Sequence, residues 1–540
     1  MKKICLAFVL MMLCLTASAQ WSEEGVQPKP MGTNSYGEEY VVTPDGTIWY
    51  YYYHPSSTSV DDLATTTYEM RLQAITKDGK LLFGETGKVV SSYLNRSWTQ
   101  VNQYLCANSD NTVTLVVRDC RNSTEEERMC SYNAYRFKAD GSSVWDEDGV
   151  SIDEGMVYED LICMTFCELS DGSTAFAWSH NCGDGGYAIE IQKVSKEGKC
   201  LYNLDDTRLT KSKGYYVYPY MVPSDNGSFI LVYAYSSQYY LRAMKYNADG
   251  TKAWDNEVRV YGGGWGSILT LQTRMKVYST PDNGVLVTWS DDRNNEGFYS
   301  PYLAYINSDG TSRFTNASGK PDVRLSYEEL SSHAPAIVLS ADNNDIYAIF
   351  DQFSQTQQQW GQLSLQKVNK NGEILYGDNG VQLEPLSVMS VGQPSLQLGE
   401  DGKLMCFWQQ FYNYQHVDNV YSIRKMDDGS AVDTDSANVH FRGSEAYRAS
   451  LQTTYSKADD TILLYWEEDA QGSSMDSKTH CCIFSKMTRD GMEVTTSGIS
   501  NATVDKASDN TTRYGITGRI LSTLKKGDIY IQGGKKYIAK

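Results

Sequence analysis

The sequence predicts an all-β chain folded as an eight-bladed β-propeller of four-stranded blades, and three observations predict it. A unit of about sixty residues returns eight times along the 540 residues. Its marker is an acidic or amide residue followed by glycine: Asp78-Gly79, Asp140-Gly141, Glu197-Gly198, Asp249-Gly250, Asp309-Gly310, Asn371-Gly372, Asp428-Gly429 and Asp490-Gly491. Repeats of this length with several short strands each are the signature of propeller blades. Each unit also carries a second polar turn further upstream, such as Asp171-Gly172, Asp282-Asn283-Gly284 or Asp401-Gly402. Finally, no segment sustains a 3.6-residue apolar period between helix caps, and forty tyrosines suit strands. A seven-bladed ring with one extra hairpin set is the alternative arrangement.

Within a unit the elements follow in a fixed order. Strand A ends in the upstream turn, where Gly, Asn and Asp tolerate positive φ. Strand B is an apolar run that often closes on an aromatic, as in Phe176-Ala177-Trp178, Val287-Thr288-Trp289, Phe407-Trp408 and Tyr465-Trp466. Such runs predict a strand buried between neighbouring sheets. A longer, variable loop leads to strand C and the marker turn. Strand D is expected to carry an aromatic and a late Gly-Val, as in Trp145…Gly149-Val150 and Tyr376…Gly380-Val381.

The two ends differ from the repeats. Residues 1–19 read as a signal peptide: Lys2 and Lys3, an apolar stretch from Ile4 to Leu15, then Ala17-Ser18-Ala19. Trp21 to Gln27 matches strand D rather than strand A, which predicts that residues 21–27 pair with strand C of the last repeat, near Lys478 to Ser485. A ring closed in this way loses its open seam, which would otherwise expose unpaired backbone groups. The propeller is expected to span residues 20–500, followed by a linker over 501–512 and a β tail over 513–540.

The tail contains Tyr514-Gly515-Ile516-Thr517-Gly518-Arg519, Lys526-Gly527-Asp528-Ile529-Tyr530 and the terminal Lys535-Lys536-Tyr537-Ile538-Ala539-Lys540. It resembles the C-terminal sorting signal of Bacteroidota type IX secretion substrates, in which Tyr-x-x-x-Gly-Arg, Lys-Gly-x-Tyr and Lys-Lys-x-x-x-Lys elements recur. The second element here has one extra residue before Tyr530. The eight repeats also resemble secreted propellers of that phylum. The resemblance implies passage through the type IX secretion machinery and a secreted or outer-surface location.

Charge excludes one class of partner. The 48 basic residues, two of them in the leader, face 67 acidic ones. Nucleic acids are held by Lys and Arg neutralising phosphates, so this balance has the wrong sign. No window after the leader is long and apolar enough to predict a transmembrane segment. Twelve cysteines are too few to form the scaffold, although Cys120 and Cys130 flank one acidic loop that a disulfide would close.

For chemistry, the sequence offers a face rather than a motif. Six scattered histidines give no metal cluster, and no catalytic signature stands in a supporting context. No cofactor is expected; calcium is the residual alternative, with Asp342-Asn343-Asn344-Asp345 as its best site. The A–B and C–D turns share one end of each blade and are short and stereotyped. The B–C loops and D–A crossovers share the other end and differ in every repeat, and variable loops on a rigid frame are where binding groups sit. The candidates for a ligand-binding face are Asp119, His180, Tyr216, Asp291, Arg293, Asp351, Tyr412 and Glu467. Asp119-x-Arg121 and Asp291-x-Arg293 predict a rim ion pair. The preferred function is a non-catalytic exported scaffold that binds a protein or glycan. The alternative is a glycan-active hydrolase or lyase, whose catalytic carboxylates would come from Asp291, Asp292, Glu467 and Glu468.

Overall fold

The computed structural model describes residues 21–495 apart from 23, 34, 56–67, 92–102, 120, 122–130, 154–160, 183–185, 210–213, 236–239, 262–274, 315–320, 355, 414, 434–436, 442–445 and 470–477. In the tail it describes 513–515, 526, 529–532 and 535–538. The leader, the linker and the Cys120–Cys130 pair therefore lie outside the described residues.

Eight antiparallel sheets follow one another in chain order and form an eight-bladed ring. Blade 5 shows the plan: strand A (Met275–Ser279), strand B (Val285–Asp291), strand C (Ser300–Ile306) and strand D (Asp322–Arg324). Strand A of the other blades is Tyr36–Val42, Leu105–Ala107, Leu161–Glu168, Tyr216–Pro223, Ala336–Leu339, Ser390–Leu398 and Tyr447–Ser456. Strand B is buried along almost its whole length, as the apolar runs require; in blade 5 every residue from Val285 to Asp291 is buried. Among the described residues helix is limited to a single turn at Leu204–Thr207, capped by Asn203, and a 3₁₀ turn at Asp225–Gly227.

The core is a circuit of layers between blades. Blades 1, 2 and 3 share one apolar cluster and blades 3, 4 and 5 another; separate clusters join 5 to 6, 6 to 7, 7 to 8 and 8 back to 1. Trp49, Trp178, Trp289, Trp408 and Trp466 are among the largest fully buried side chains. Truncating an aromatic of this size in such a layer costs about 3–5 kcal/mol.

The marker turn has a packing reason as well as a conformational one. All eight marker glycines hold φ between 72° and 92°. At Gly198 an added Cβ would also lie 3.0 Å from the ring of Trp145, on the preceding blade. The same approach joins Phe83 to Gly141, Tyr202 to Gly250, Trp254 to Gly310, Phe314 to Gly372 and Tyr376 to Gly429. Several of these aromatics also donate a hydrogen bond to the turn they cover. Trp145 Nε1 bonds Lys196 O at 3.0 Å, Trp254 Nε1 bonds Ser308 O at 3.1 Å, and Tyr376 Oη bonds Met426 O at 2.7 Å. The aromatic thus stands ahead of strand D, in the segment after the marker turn, and not within the strand; strand D itself is as short as Val150–Ser151.

The amino-terminal segment takes the same place in blade 8. Val26 exchanges both backbone bonds with Phe484, each 2.8 Å, and Gly32 N donates to His480 O at 2.9 Å. Trp21 is buried, and its Nε1 donates to Lys77 O on blade 1 at 2.7 Å. Tyr40 of blade 1 meets Thr454 of blade 8 at 3.0 Å across the same seam. In the tail, Arg513–Gly515, Ile529–Gln532 and Lys535–Ile538 pair as a small antiparallel sheet.

Candidate functional site

The stereotyped face is occupied by its own struts. In five blades a cation on strand C pairs with the A–B turn of its blade and also donates to a backbone carbonyl of the next. Arg136 bonds Asp110 (3.0 Å) and Gly172 O (2.9 Å), and Lys193 bonds Asp171 (2.8 Å) and Ala248 O (3.0 Å). Lys245 bonds Asp225 (2.5 Å) and Ser308 O (3.2 Å). Lys367 pairs with Asp345 and reaches Met426 O, and Lys486 joins Asp459 to Lys77 O, back on blade 1. Polar groups engaged in this way are not free for a ligand. The variable-loop face is the one with unspent chemistry.

On that face the column after strand B is built around a tryptophan clasp. In blade 5, Trp289 Nε1 donates to Asp291 Oδ2 at 2.7 Å. Arg293 donates to both oxygens of Asp291, at 2.9 and 2.7 Å, and to Asp322 at 2.7 Å. Its guanidinium lies 3.8 Å from the ring centroid of Tyr302 and 4.5 Å from that of Tyr261. Blade 8 repeats the clasp: Trp466 Nε1 donates to Glu468 at 3.2 Å, and Arg448 donates to Glu468 at 2.8 Å and to Val417 O of blade 7 at 3.1 Å. A buried indole N–H needs an acceptor, and the acid two residues on supplies it. The Trp-x-acid spacing was the readable signal for this clasp.

These placements decide what the sequence candidates can do. Asp291 is fully buried in its clasp. Asp292 accepts the backbone N–H groups of Glu296 (2.6 Å) and Gly297 (3.0 Å), fixing the loop. Glu467 meets His480 Nε2 at 3.1 Å; burial pushes its carboxyl up, but bonds from His480 and Ser450 outweigh that and hold it below its usual range. Glu468 belongs to the second clasp. The four carboxylates of the catalytic alternative are thus bound to structural partners on two separate blades.

Other candidates are dispersed. Tyr216 is buried against Tyr233 and Tyr235, in an inter-blade layer and not on the face. In blade 3 His180 stands where the clasp's acid would, but Trp178 Nε1 has no acceptor among the described residues; His180 is buried, its Nδ1 3.6 Å from Glu190 Oε1, which also accepts Arg208 Nε at 2.5 Å. Burial, aided by Arg208, lowers His180 to about 4, and burial raises Glu190 to about 7 despite Arg208. Asp119 ends strand B of blade 2, with its side chain outside the described residues. Arg121 reaches Asp148 O at 2.8 Å and Tyr135 Oη at 3.0 Å; the Asp119 half of the expected rim pair lies outside the described residues. Tyr412 is exposed and stacks on His416, with centroids 4.6 Å apart. Asp351 is buried and holds His333 Nδ1 at 2.6 Å.

Two cavities lie beside that last pair. A groove of about 1000 Å³ runs between blades 5 and 6, lined by Glu296, Phe298, Tyr299, Arg324, Tyr327, Glu329 and Phe353 among others. Arg324 lies 4.9 Å from the ring of Tyr327 and 5.9 Å from that of Phe298. The second cavity, about 900 Å³, opens among the inner strands of blades 4 to 8, with Tyr220, Lys276, His333 and Asp351 on its wall. His333 and Phe353, with ring centroids 5.2 Å apart, stand between the two. Periodicity in the sequence could not select these loop residues, because loops carry no period.

Among the described residues no group of three His, Cys, Asp or Glu side chains is placed to hold a metal ion. In the run Asp342 to Asp345, Asp342 accepts Ser340 Oγ (2.6 Å) and Asn344 Nδ2 (2.7 Å), and Asp345 pairs with Lys367 (3.0 Å). No helix among the described residues is long and apolar enough to cross a membrane.

No family model matches the chain, and no curated protein does. Similar solved structures include a eukaryotic initiation factor, at 7% identity and a TM-score of 0.41, covering 87% of this chain and 89% of that one. The polysaccharide lyase Uly1 is similar at 12% identity and a TM-score of 0.40, covering 84% of this chain and all of the other. A protein of unknown function from Dyadobacter fermentans is similar at 10% identity and a TM-score of 0.32, covering 61% of this chain and 93% of that one. Likeness at this level carries no argument about activity, and the function has to be read from the site.

Proposed function

We propose that the chain is an exported, non-catalytic scaffold that engages a glycan or protein surface through its variable-loop face. The observation that carries this reading is the groove between blades 5 and 6. It is concave, and it sets aromatic rings beside a guanidinium and carboxylates. Tyr327 is 55% exposed, which leaves its ring open to stack against a ligand. Rings flanked by fixed polar groups suit the apolar face and hydroxyl edge of a sugar, and equally the centre of a protein epitope. The opposite face supports the same choice, since in five blades its strand-C cations are engaged by the struts. Export and delivery to the outer surface belong to the proposal and rest on the leader-like residues 1–19 and the tail motif.

The test is a glycan array and a hydrolysis screen on the mature chain. Binding without turnover is the expected result. Tyr327→Ala should weaken capture by about tenfold, the worth of one stacking contact at a hot spot, with the melting temperature unchanged. Turnover of any glycan by the purified chain would reject the scaffold reading, and full binding by Tyr327→Ala would remove the groove from it.

A further inference from the structure

The cavity among the inner strands contains a cation that forms no ion pair among the described residues. Lys276 lies on strand A of blade 5, paired with Thr288, the residue before the clasp tryptophan. The same register position holds Thr165 in blade 3, Tyr220 in blade 4, Ser395 in blade 7 and Gln452 in blade 8. One blade thus places a charge where these neighbours place neutral groups. Lys276 is half-buried and makes no hydrogen bond or ion pair with the described residues. Asp351, whose charge it feels, is already bound to His333.

We propose that this cavity binds the carboxylate of a sugar acid, with the Lys276 ammonium as its counter-ion. The choice of ligand follows from the wall. A single ammonium close to Asp351 favours a monoanion over a phosphate dianion, which the aspartate would repel. Gln393 on the wall can exchange hydrogen bonds with hydroxyls, and Tyr220 and Tyr278 offer ring surface. The proposal rests on the glycan reading of this face and narrows it to acidic glycans.

Burial lowers the Lys276 amine to about 8, with Asp351 acting the other way. The titratable groups on the cavity wall are Lys276, His333, Asp351, Tyr220 and Tyr278. Burial pushes both phenols up, so they stay neutral across the working range. Affinity for the acid should therefore decline as pH rises through about 8, where the ammonium is lost.

The experiment compares glucuronate-terminated with glucose-terminated oligosaccharides of equal length, by calorimetry on the mature chain. A charge-assisted contact predicts that the acid binds about tenfold tighter at pH 7. That preference should vanish in Lys276→Met, persist in Lys276→Arg, and fade above pH 9. Equal affinity for both sugars, or a preference that survives Lys276→Met, overturns the assignment and leaves the glycan reading standing. Binding of neither sugar overturns both. Tighter binding of a sugar phosphate refutes the monoanion choice. Should Lys276→Met fail to fold, ¹³C-dimethylated wild-type chain replaces it: glucuronate should raise the titration midpoint of the Lys276 resonance, and an unmoved resonance counts against the site.

Discussion

Asp291 and Glu468 illustrate how one residue is read differently alone and in place. A carboxylate after strand B at the loop end looks available for chemistry. Each instead accepts an indole N–H and an arginine, and the arginine ties the rim to a neighbouring strand or blade. Asp291→Asn removes the charge that faces Arg293 and leaves Asp322 as its remaining acid. Breaking a buried pair from one side costs about 3–5 kcal/mol, so urea unfolding should show a loss of that order. A loss below about 0.5 kcal/mol, the size of an ordinary surface change, would mean that the clasp is not structural. Asp292→Asn, on the exposed loop, should lose much less.

At the scale of the element, the marker turn makes a pH prediction. Asp140, Asp249 and Asp309 each accept the side-chain O–H and backbone N–H of the residue two further on, and these bonds hold their carboxyls below the usual range. A depressed folded value means stability that is present above the unfolded value, near 3.9, and lost as pH falls from there through the lower folded value. The melting temperature should therefore drop as pH falls below about 4. Replacing all three with Asn, the residue blade 6 already carries as Asn371, should make that drop shallower. An identical drop in the triple variant would show that other carboxylates dominate acid unfolding.

The whole molecule depends on its seam. Blade 8 takes its outer strand from residues near the amino terminus, and Trp21 carries that strand across to Lys77 of blade 1. Gly25 has φ +81°, and a Cβ there would lie 2.5 Å from Phe484 O. Deleting residues 20–30 should lower the melting temperature by many degrees, because it exposes the edge of blade 8 and opens the last apolar layer. Gly25→Ala should reproduce part of that loss through strain and collision. A deletion variant that melts with the intact chain would show that the ring is held by the inter-blade layers alone.

Much of this architecture was legible because blades repeat: local turn chemistry and strand period recur eight times, so weak signals add. Asp140-Gly141 and its seven counterparts, the buried runs ending at Trp289 or Trp466, and the strand-D likeness of Trp21 to Gln27 all come from the chain by itself. What the sequence alone determined was therefore the repeat, the strand order within it, and which end of each blade varies. Tertiary structure decided the rest. It placed Asp291 and Glu468 in clasps, turned Tyr216 into an inter-blade layer, brought Phe298 and Tyr327 together around Arg324, and left Lys276 without an ion pair among the described residues. The physical reason is range. Turns and strand periods are set by residues a few positions apart, whereas a ligand groove is set by which blades and loops become neighbours after the ring closes.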